Sequence, residues 1–160
     1  MFETKDILLY ESGNGGELAI INNDLALAER LYQQAYLCLF GGNVEADTLG
    51  NEIATEIRQD WWANSLLFGD NKAKQFNSET ERALNNNALT STGRLNIQRA
   101  VENDLKYFKN VAEFVVGVSL LGRDKVEISI KLTQPKNQQG ESLQLIWDNA
   151  KKELITDKII

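Results

Sequence analysis

The chain has 160 residues, of which 42% are hydrophobic and 25% are charged, as is typical of one compact domain. It contains no histidine and a single cysteine, which excludes histidine-dependent catalysis, histidine-ligated zinc and an intramolecular disulfide. The formal net charge of −6 opposes binding to nucleic acid, and no apolar run reaches the ~20 residues that a membrane span needs. We therefore expect no nucleic-acid partner, no membrane partner, no cofactor and no metal, and synthesis in the cytoplasm.

The charge is unevenly distributed along the chain. Residues 1–60 contain eleven acidic and three basic side chains, a balance of −8, whereas residues 61–160 contain twelve acidic and fourteen basic side chains, a balance of +2. Such asymmetry occurs in proteins with complementary surfaces in an assembly and also in proteins with a solvated acidic face. The sequence alone leaves both interpretations open.

The first predicted element is a β-hairpin. Short apolar runs at residues 7–10 and 17–21 flank residues 12–16, which are serine, glycine and asparagine. Glycine and asparagine accept the positive φ angles of a tight turn. Because no Gly-Lys-Ser/Thr follows and no helix opens directly behind it, this glycine cluster is not predicted to bind phosphate.

The second predicted element is a helix that begins at Asp24, an N-cap residue type. Apolar residues recur after it at three- and four-residue steps as far as Leu39. Gly41 and Gly42 follow and predict the C-terminal end of the helix. Cys38 lies within this helix, and we expect it to be a small buried apolar group.

The middle of the chain predicts two further helices. Ser78 and Glu81 have the spacing of a capping box, which predicts a short helix, and a longer helix is predicted after Thr92. One face of the longer helix carries apolar residues at steps of four, four and three: Ile97, Val101, Leu105 and Phe108. Residues 43–77 show weaker periodicity and are predicted to be largely irregular, with a short helix over residues 52–58.

The last third of the chain has the two-residue period of β-strands. An apolar run at residues 111–121 and a turn at residues 122–124 precede a strict alternation over residues 126–133. Pro135 is predicted to end that strand, and a polar loop is predicted to continue through Gly140. A third strand then carries three alternating apolar residues: Leu143, Leu145 and Trp147.

These elements predict an α+β fold in a single domain over residues 1–160, with an N-terminal β-hairpin, two to four helices and a C-terminal antiparallel β-meander. Residues 143–160 are predicted to form an edge strand and a tail. An exposed edge presents unpaired backbone groups to a partner strand, so Leu143, Leu145 and Trp147 are candidate interface residues. The tail either packs on its own domain or stays frayed.

Adjacent tryptophans at Trp61 and Trp62 have two interpretations. Each ring buries a large area in a core, and tryptophan is also enriched at the energetic centre of protein interfaces. Because two neighbouring side chains do not easily point inward together, we count Trp61 and Trp62 as further candidate interface residues.

Without histidine, hydrolysis would use two carboxylates, as in glycosidases. The candidates lie around the tryptophan pair: Glu45, Asp47, Glu52, Glu56 and Asp60. The i,i+4 spacing of Glu52 and Glu56 is more typical of a solvated helix face, and nothing in the sequence fixes the separation of two carboxyl groups. We therefore expect no catalytic residue and no enzyme activity.

The order of the elements resembles a known family. Asp6-Ile7-Leu8-Leu9 precedes the glycine-rich turn, and Asn23-Asp24-Leu25 opens the predicted first helix. The later markers are Trp61-Trp62, a helix with Ala100-Val101-Glu102-Asn103-Asp104-Leu105, and a meander closing on Leu145-Ile146-Trp147. This order resembles the Mu-type phage tail protein family of the gene product forty-six type, a baseplate wedge component of contractile tails. It is similar in layout to the wider gene twenty-five-like wedge family, and the resemblance extends over nearly the whole chain.

The resemblance implies a structural role in the baseplate of a phage or prophage tail. Multiple copies would associate with other wedge, hub or sheath proteins, in part by strand addition, during assembly in the host cytoplasm, and would then be located in the tail baseplate of the virion. Two alternatives stay open: a peptidoglycan-cleaving enzyme with paired carboxylates around residues 45–60, and a generic bacterial adaptor domain.

Overall fold

A computed structural model of the chain describes residues 5–11, 16–29, 31–41, 63–71, 74, 78–134 and 137–159. Their helices and antiparallel strands confirm the α+β class. Contacts within the chain divide it into two compact units, Met1–Ser78 and Glu79–Ile160. The extent of a single domain over residues 1–160 stays a prediction.

The first unit begins with six short strands that pair two by two. Their bounds are β1 Lys5–Ile7, β2 Leu9–Glu11, β3 Gly16–Leu18, β4 Ile20–Ile21, β5 Asp24–Leu25 and β6 Leu27–Glu29. The antiparallel pairs are β1 with β6, β2 with β3, and β4 with β5. The β2–β3 pair confirms the predicted hairpin, whose turn at residues 12–15 lies outside the described residues.

Three residues join these strands at one centre. Leu8 separates β1 from β2, Ala19 separates β3 from β4, and Ala26 separates β5 from β6. The Leu8 N–H donates to the Ala26 carbonyl (2.8 Å), the Ala26 N–H to the Ala19 carbonyl (2.8 Å), and the Ala19 N–H to the Leu8 carbonyl (3.0 Å). These bonds close a ring from which three two-stranded arms diverge. We call residues 5–29 the three-arm junction.

The predicted helix start at Asp24 is wrong. Asp24 and Leu25 form β5, and α1 spans Tyr32–Phe40. Asn22 and Asn23 have φ angles of 54° and 65°, which suit the two central residues of a type I′ hairpin turn. They reverse the chain between β4 and β5, so Asp24 follows a turn and does not precede a helix.

Helix α1 provides the described core of the first unit. Its apolar residues are buried almost all round, so it lacks the polar face of a surface helix: Leu31 before it, then Ala35, Leu37, Cys38, Leu39 and Phe40. The rings of Tyr36 and Phe40 lie 5.3 Å apart. The predicted C-terminal end of the helix is confirmed at Gly41. The φ angle of Gly41 is −77°, so this glycine does not adopt the left-handed conformation that is common at helix ends. The buried Cys38 also agrees with its prediction.

Residues 43–77 are described in part. Helix α2 spans Ala63–Phe68 within the stretch predicted to be largely irregular. The predicted helix over residues 52–58 lies outside the described residues. At the end of the unit, the Ser78 hydroxyl donates to the carbonyl of Leu39.

The second unit has a helical layer and a sheet. The helices are α3 Glu79–Asn86 and α4 Ser91–Asp104, and a 3₁₀ helix, Leu105–Asn110, continues α4. The strands are β7 Glu113–Leu120, β8 Lys125–Gln134, β9 Asn137–Asp148 and β10 Glu153–Ile159. They form an antiparallel sheet in the order β10–β9–β8–β7. Helix α3 packs against α4, and α4 packs against β7.

The two periodic faces predicted for this unit are confirmed. The helical residues Ile97, Val101, Leu105 and Phe108 are all buried, as are the strand residues Val126, Ile128, Ile130 and Leu132. Helix α4 begins slightly earlier than predicted, because the hydroxyl of Thr90 accepts the N–H of Gly93 at 3.1 Å and so caps the helix.

The predicted polar loop through Gly140 is wrong. Strand β8 ends at Gln134, before Pro135, as predicted, but Gln134 pairs directly with Asn137. Residues 137–140 therefore already belong to β9. A register shift between Leu132 and Gln134 interrupts the alternation at this end of the hairpin. Residues 137–140 are polar or glycine, so the alternation of hydrophobic residues did not predict that they belong to a strand.

Candidate protein-interaction site

The predicted edge strand at Leu143–Trp147 is wrong. These residues lie in β9, between β8 and β10. Leu143, Leu145 and Trp147 are 4%, 0% and 1% exposed, so their side chains belong to the core of their own chain. The other candidate interface residues, Trp61 and Trp62, lie outside the described residues.

Strand β10 pairs with β9 along the edge that was predicted to be exposed. Of the two outcomes considered for the tail, packing on its own unit is the one observed. The carboxylate of Asp148 accepts the N–H groups of Ala150 and Lys151 at 3.0 and 3.1 Å, which closes the turn. The ammonium of Lys152 donates to the Asn85 carbonyl at 3.2 Å, so it ties this turn to the C-terminal end of α3.

The two outer strands of the sheet are β7 and β10. The Leu121 N–H donates to the Lys125 carbonyl at 2.8 Å, so the backbone of Leu121 faces the neighbouring strand β8. Residues of an antiparallel strand alternate between facing the neighbour and facing away. The backbone groups of Phe114, Val116 and Val118 therefore point away from β8.

Arg94 of α4 reaches one end of this edge. Its guanidinium donates to the Val118 carbonyl at 3.3 Å and to the Gln98 side chain at 3.4 Å. The contact with Val118 agrees with the outward direction of that carbonyl. Because Arg94 already bonds the Val118 carbonyl, a partner strand could pair only with the half of the edge around Phe114 and Val116.

The two edges differ in charge. Strand β7 has one charged residue among eight, Glu113 at its start, and Val115 is 68% exposed. Strand β10 has three charged residues among seven: Glu153, Asp157 and Lys158. Charges on an edge strand oppose pairing with another chain, and an uncharged, β-branched edge favours it. The β7 edge is therefore the better candidate for strand addition, although no sequence pattern predicted that this strand would be outermost.

The structure clearly perturbs the pKa of Asp104. Its carboxylate accepts the N–H groups of Glu79 and Thr80 at 3.0 and 2.8 Å, and the Thr80 hydroxyl at 2.6 Å. Burial raises its pKa to about 6, against the hydrogen bonds from Glu79 and Thr80, which lower it. These contacts cap the N-terminus of α3 from the end of α4. Asp104 therefore has a structural role in holding the two helices together.

The five acidic residues considered for hydrolysis, Glu45 to Asp60, lie outside the described residues. Within the described ranges, no group of three or more Cys, Asp or Glu side chains is arranged to hold a metal ion. No helix among those ranges is long and apolar enough to cross a membrane.

Comparisons with protein-family models, with curated proteins and with solved structures found no match to this chain. A functional proposal therefore depends on the residues and geometry given above.

Proposed function

We propose that the protein is a non-enzymatic structural component of a contractile phage or prophage tail baseplate. It associates with neighbouring wedge, hub or sheath proteins by strand addition at β7. The observation that carries the association is the β7 edge, which has outward backbone groups at Phe114 and Val116, an exposed Val115 and no charged residue after Glu113. The sequence resemblance supports the choice of a tail baseplate as the assembly, although two of its markers differ in the structure: Asp24 lies in β5 and does not open a helix, and β10 follows Leu145-Ile146-Trp147.

Strand addition supplies backbone hydrogen bonds whatever the partner sequence, while side chains fix the register. On β7, Phe114, Val116 and Val118 lie on the face that carries the buried row of β8, because they pair with Leu132, Ile130 and Ile128. A partner strand beside β7 would extend this apolar face. Arg94 at Val118 sets the end of the pairing.

Deletion of the gene from the genome that carries it tests the assignment to a tail. After induction of particle production, electron microscopy should show no complete contractile tails, and a wild-type copy supplied in trans should restore them. Intact tails of normal number and shape in the deletion strain would contradict the proposal. Mass spectrometry of purified wild-type particles should detect the protein as a stoichiometric component.

A further inference from the structure

Helix α4 has a row of hydrogen-bonded polar side chains beside the free edge of β7. Arg94, Gln98 and Glu102 follow one another at four-residue steps, which places them on one side of the helix. The Arg94 guanidinium donates to the Gln98 side chain at 3.4 Å, and the Gln98 amide donates to the Glu102 carboxylate at 2.9 Å. Arg94 also donates to the outward Val118 carbonyl at 3.3 Å. These three side chains, which we call the polar row, therefore lie on the side of α4 nearest the edge.

The polar row and β7 run in opposite directions. The 3₁₀ helix continues from the end of α4 and contacts β7, so Glu102 lies near the end of α4 from which the chain enters β7. From Arg94 to Glu102 the helix rises about 12 Å, and from Val118 back to Phe114 the strand extends about 14 Å. Because Arg94 contacts Val118, Glu102 lies close to the level of Phe114, in the half of the edge that a partner strand can reach.

Glu102 brings a negative charge to that half of the edge. Its side chain is half-buried, and within the described ranges no lysine or arginine pairs with its carboxylate. Lys106, four residues further along the helix, donates instead to the Asn103 side chain at 2.7 Å. A charged group binds an opposite charge more strongly where it is partly removed from water. The Glu102 carboxylate is therefore suited to a cation from outside the chain.

A strand added to β7 would bring its side chains to the polar row. The outward N–H and carbonyl groups of Phe114 and Val116 have no partner among the described residues. A strand that pairs with them lies about 5 Å beyond β7, and every second side chain points to the face on which α4 packs. A side chain opposite Phe114 therefore points toward Glu102. Lysine and arginine suit this position, because their aliphatic stems cover an apolar neighbour while their charged ends reach further.

We propose that the strand that pairs with β7 carries a lysine or arginine opposite Phe114, and that its charged group binds the Glu102 carboxylate. The ion pair fixes the register, because a shift by one residue turns the basic side chain to the other face of the sheet. Arg94, at the other end of the polar row, disfavours a second basic residue opposite Val118. The inference rests on the proposed strand addition at β7, and it specifies the chemistry of the added strand.

Photocrosslinking at the β7 edge identifies the added strand. p-Benzoylphenylalanine is placed at Val115, which is 68% exposed, and the control position is Ile155 of the β10 edge, which is 37% exposed. In the cells that make the full chain and its assembly, we expect an adduct with a segment of another protein from Val115, and severalfold less from Ile155. Mass spectrometry should find a lysine or arginine in that segment. A segment without either residue, β7 of a second copy included, would overturn the inference.

Removal of the Glu102 charge tests the ion pair itself. Glu102→Gln keeps an oxygen that accepts from Gln98, and the control Glu113→Gln removes a charge from the exposed start of β7. Each variant carries the Val115 crosslinker and competes in the same cells with a differently tagged chain that carries only the crosslinker. The Glu102→Gln share of the adduct should fall about three- to tenfold, as expected for a lost charged hydrogen bond, and the Glu113→Gln share should change little.

A charge exchange completes the test. Glu102→Lys should lower the adduct yield further than Glu102→Gln, and replacement of the basic residue in the crosslinked segment by glutamate should restore it. Unchanged adduct with Glu102→Gln, or equal losses for Glu102→Gln and Glu113→Gln in chains that circular dichroism shows to be folded, would overturn the ion pair and leave strand addition standing. No adduct from Val115, or an equal yield from Ile155, would overturn strand addition at β7 and the ion pair with it.

Discussion

The difference in the free energy of unfolding between the wild type and Asp104→Asn should depend on pH, and the structure predicts the size and the sign of that dependence. Burial raises the pKa of this carboxyl from 3.8 to about 6, against the opposing hydrogen bonds. The difference between these values corresponds to about 3 kcal/mol in the free energy of unfolding. Asp104→Asn keeps the shape of the side chain and removes the titration.

Below pH 3.8 the carboxyl is protonated in both the folded and the unfolded chain. Between pH 3.8 and about 6 the unfolded chain releases this proton while the folded chain keeps it, so the free energy of unfolding falls as the pH rises. Above pH 6 both states are ionised and the loss is complete. The stability of the wild type relative to Asp104→Asn should therefore fall by about 3 kcal/mol from pH 3.5 to pH 7.

Urea unfolding at a series of pH values measures this difference. In a Trp61→Phe, Trp62→Phe background, fluorescence reports on Trp147, which is buried in the same unit as Asp104. Thr80→Val removes the hydroxyl that donates to Asp104, so it should raise the pKa of that carboxyl and extend the loss to higher pH. A wild type that gains stability over Asp104→Asn as the pH rises would refute the reasoning, because hydrogen bonding would then outweigh burial.

Three further substitutions have expected outcomes in urea or thermal unfolding. Gly93→Ala should destabilise by about 1–3 kcal/mol, although alanine favours helix, because its Cβ would clash with the Ala88 carbonyl oxygen; a gain would contradict the close approach. Lys152→Ala should cost about 1–3 kcal/mol through loss of its bond to α3, whereas the exposed Lys151→Ala should change little; equal effects would contradict that role. Ile128→Ala should cost about 2–5 kcal/mol through a cavity in the core, and a smaller loss would argue against tight packing there.

Local periodicity predicted the parts of the fold that one element determines alone. Ile97 to Phe108 repeat with the turn of a helix, and Val126 to Leu132 alternate as on a strand with one buried face. Each pattern lies within about a dozen residues, and it can be recognised without knowing which other elements pack against it. The α+β class followed from them.

The candidate site was less predictable, because it depends on which strands are outermost. β10 was missed since a bulge between Leu154 and Thr156 breaks its alternation. With β10 unrecognised, β9 appeared to be the edge. The uncharged run that begins at Phe114 is visible in the sequence, but its position at an edge is a property of the whole sheet.

The three-arm junction was missed for a different reason. An acidic residue followed by apolar residues is also the signature of a helix N-terminus, so Asp24 predicted a helix. The similarity of its surroundings to those of Asp6 and Glu17 becomes meaningful only when the ring of hydrogen bonds through Leu8 and Ala26 is known. The paired asparagines before Asp24 were the local signal for a turn.

Incorporation of β7 variants into tail particles tests the proposed association most directly. Because the Val116 N–H points away from β8, Val116→Pro removes a donor from the free edge and leaves the pairing with β8 intact, and Val116→Thr is the matched control. If circular dichroism shows that Val116→Pro reduces folding, the test uses Val115→Lys instead, because this variant adds a charge at an exposed position of the same edge strand. In a deletion strain, the Val116→Thr protein should restore complete tails and be present in them at the wild-type level, whereas the folded edge-blocked variant should restore none. Equal incorporation of the two would contradict strand addition at β7.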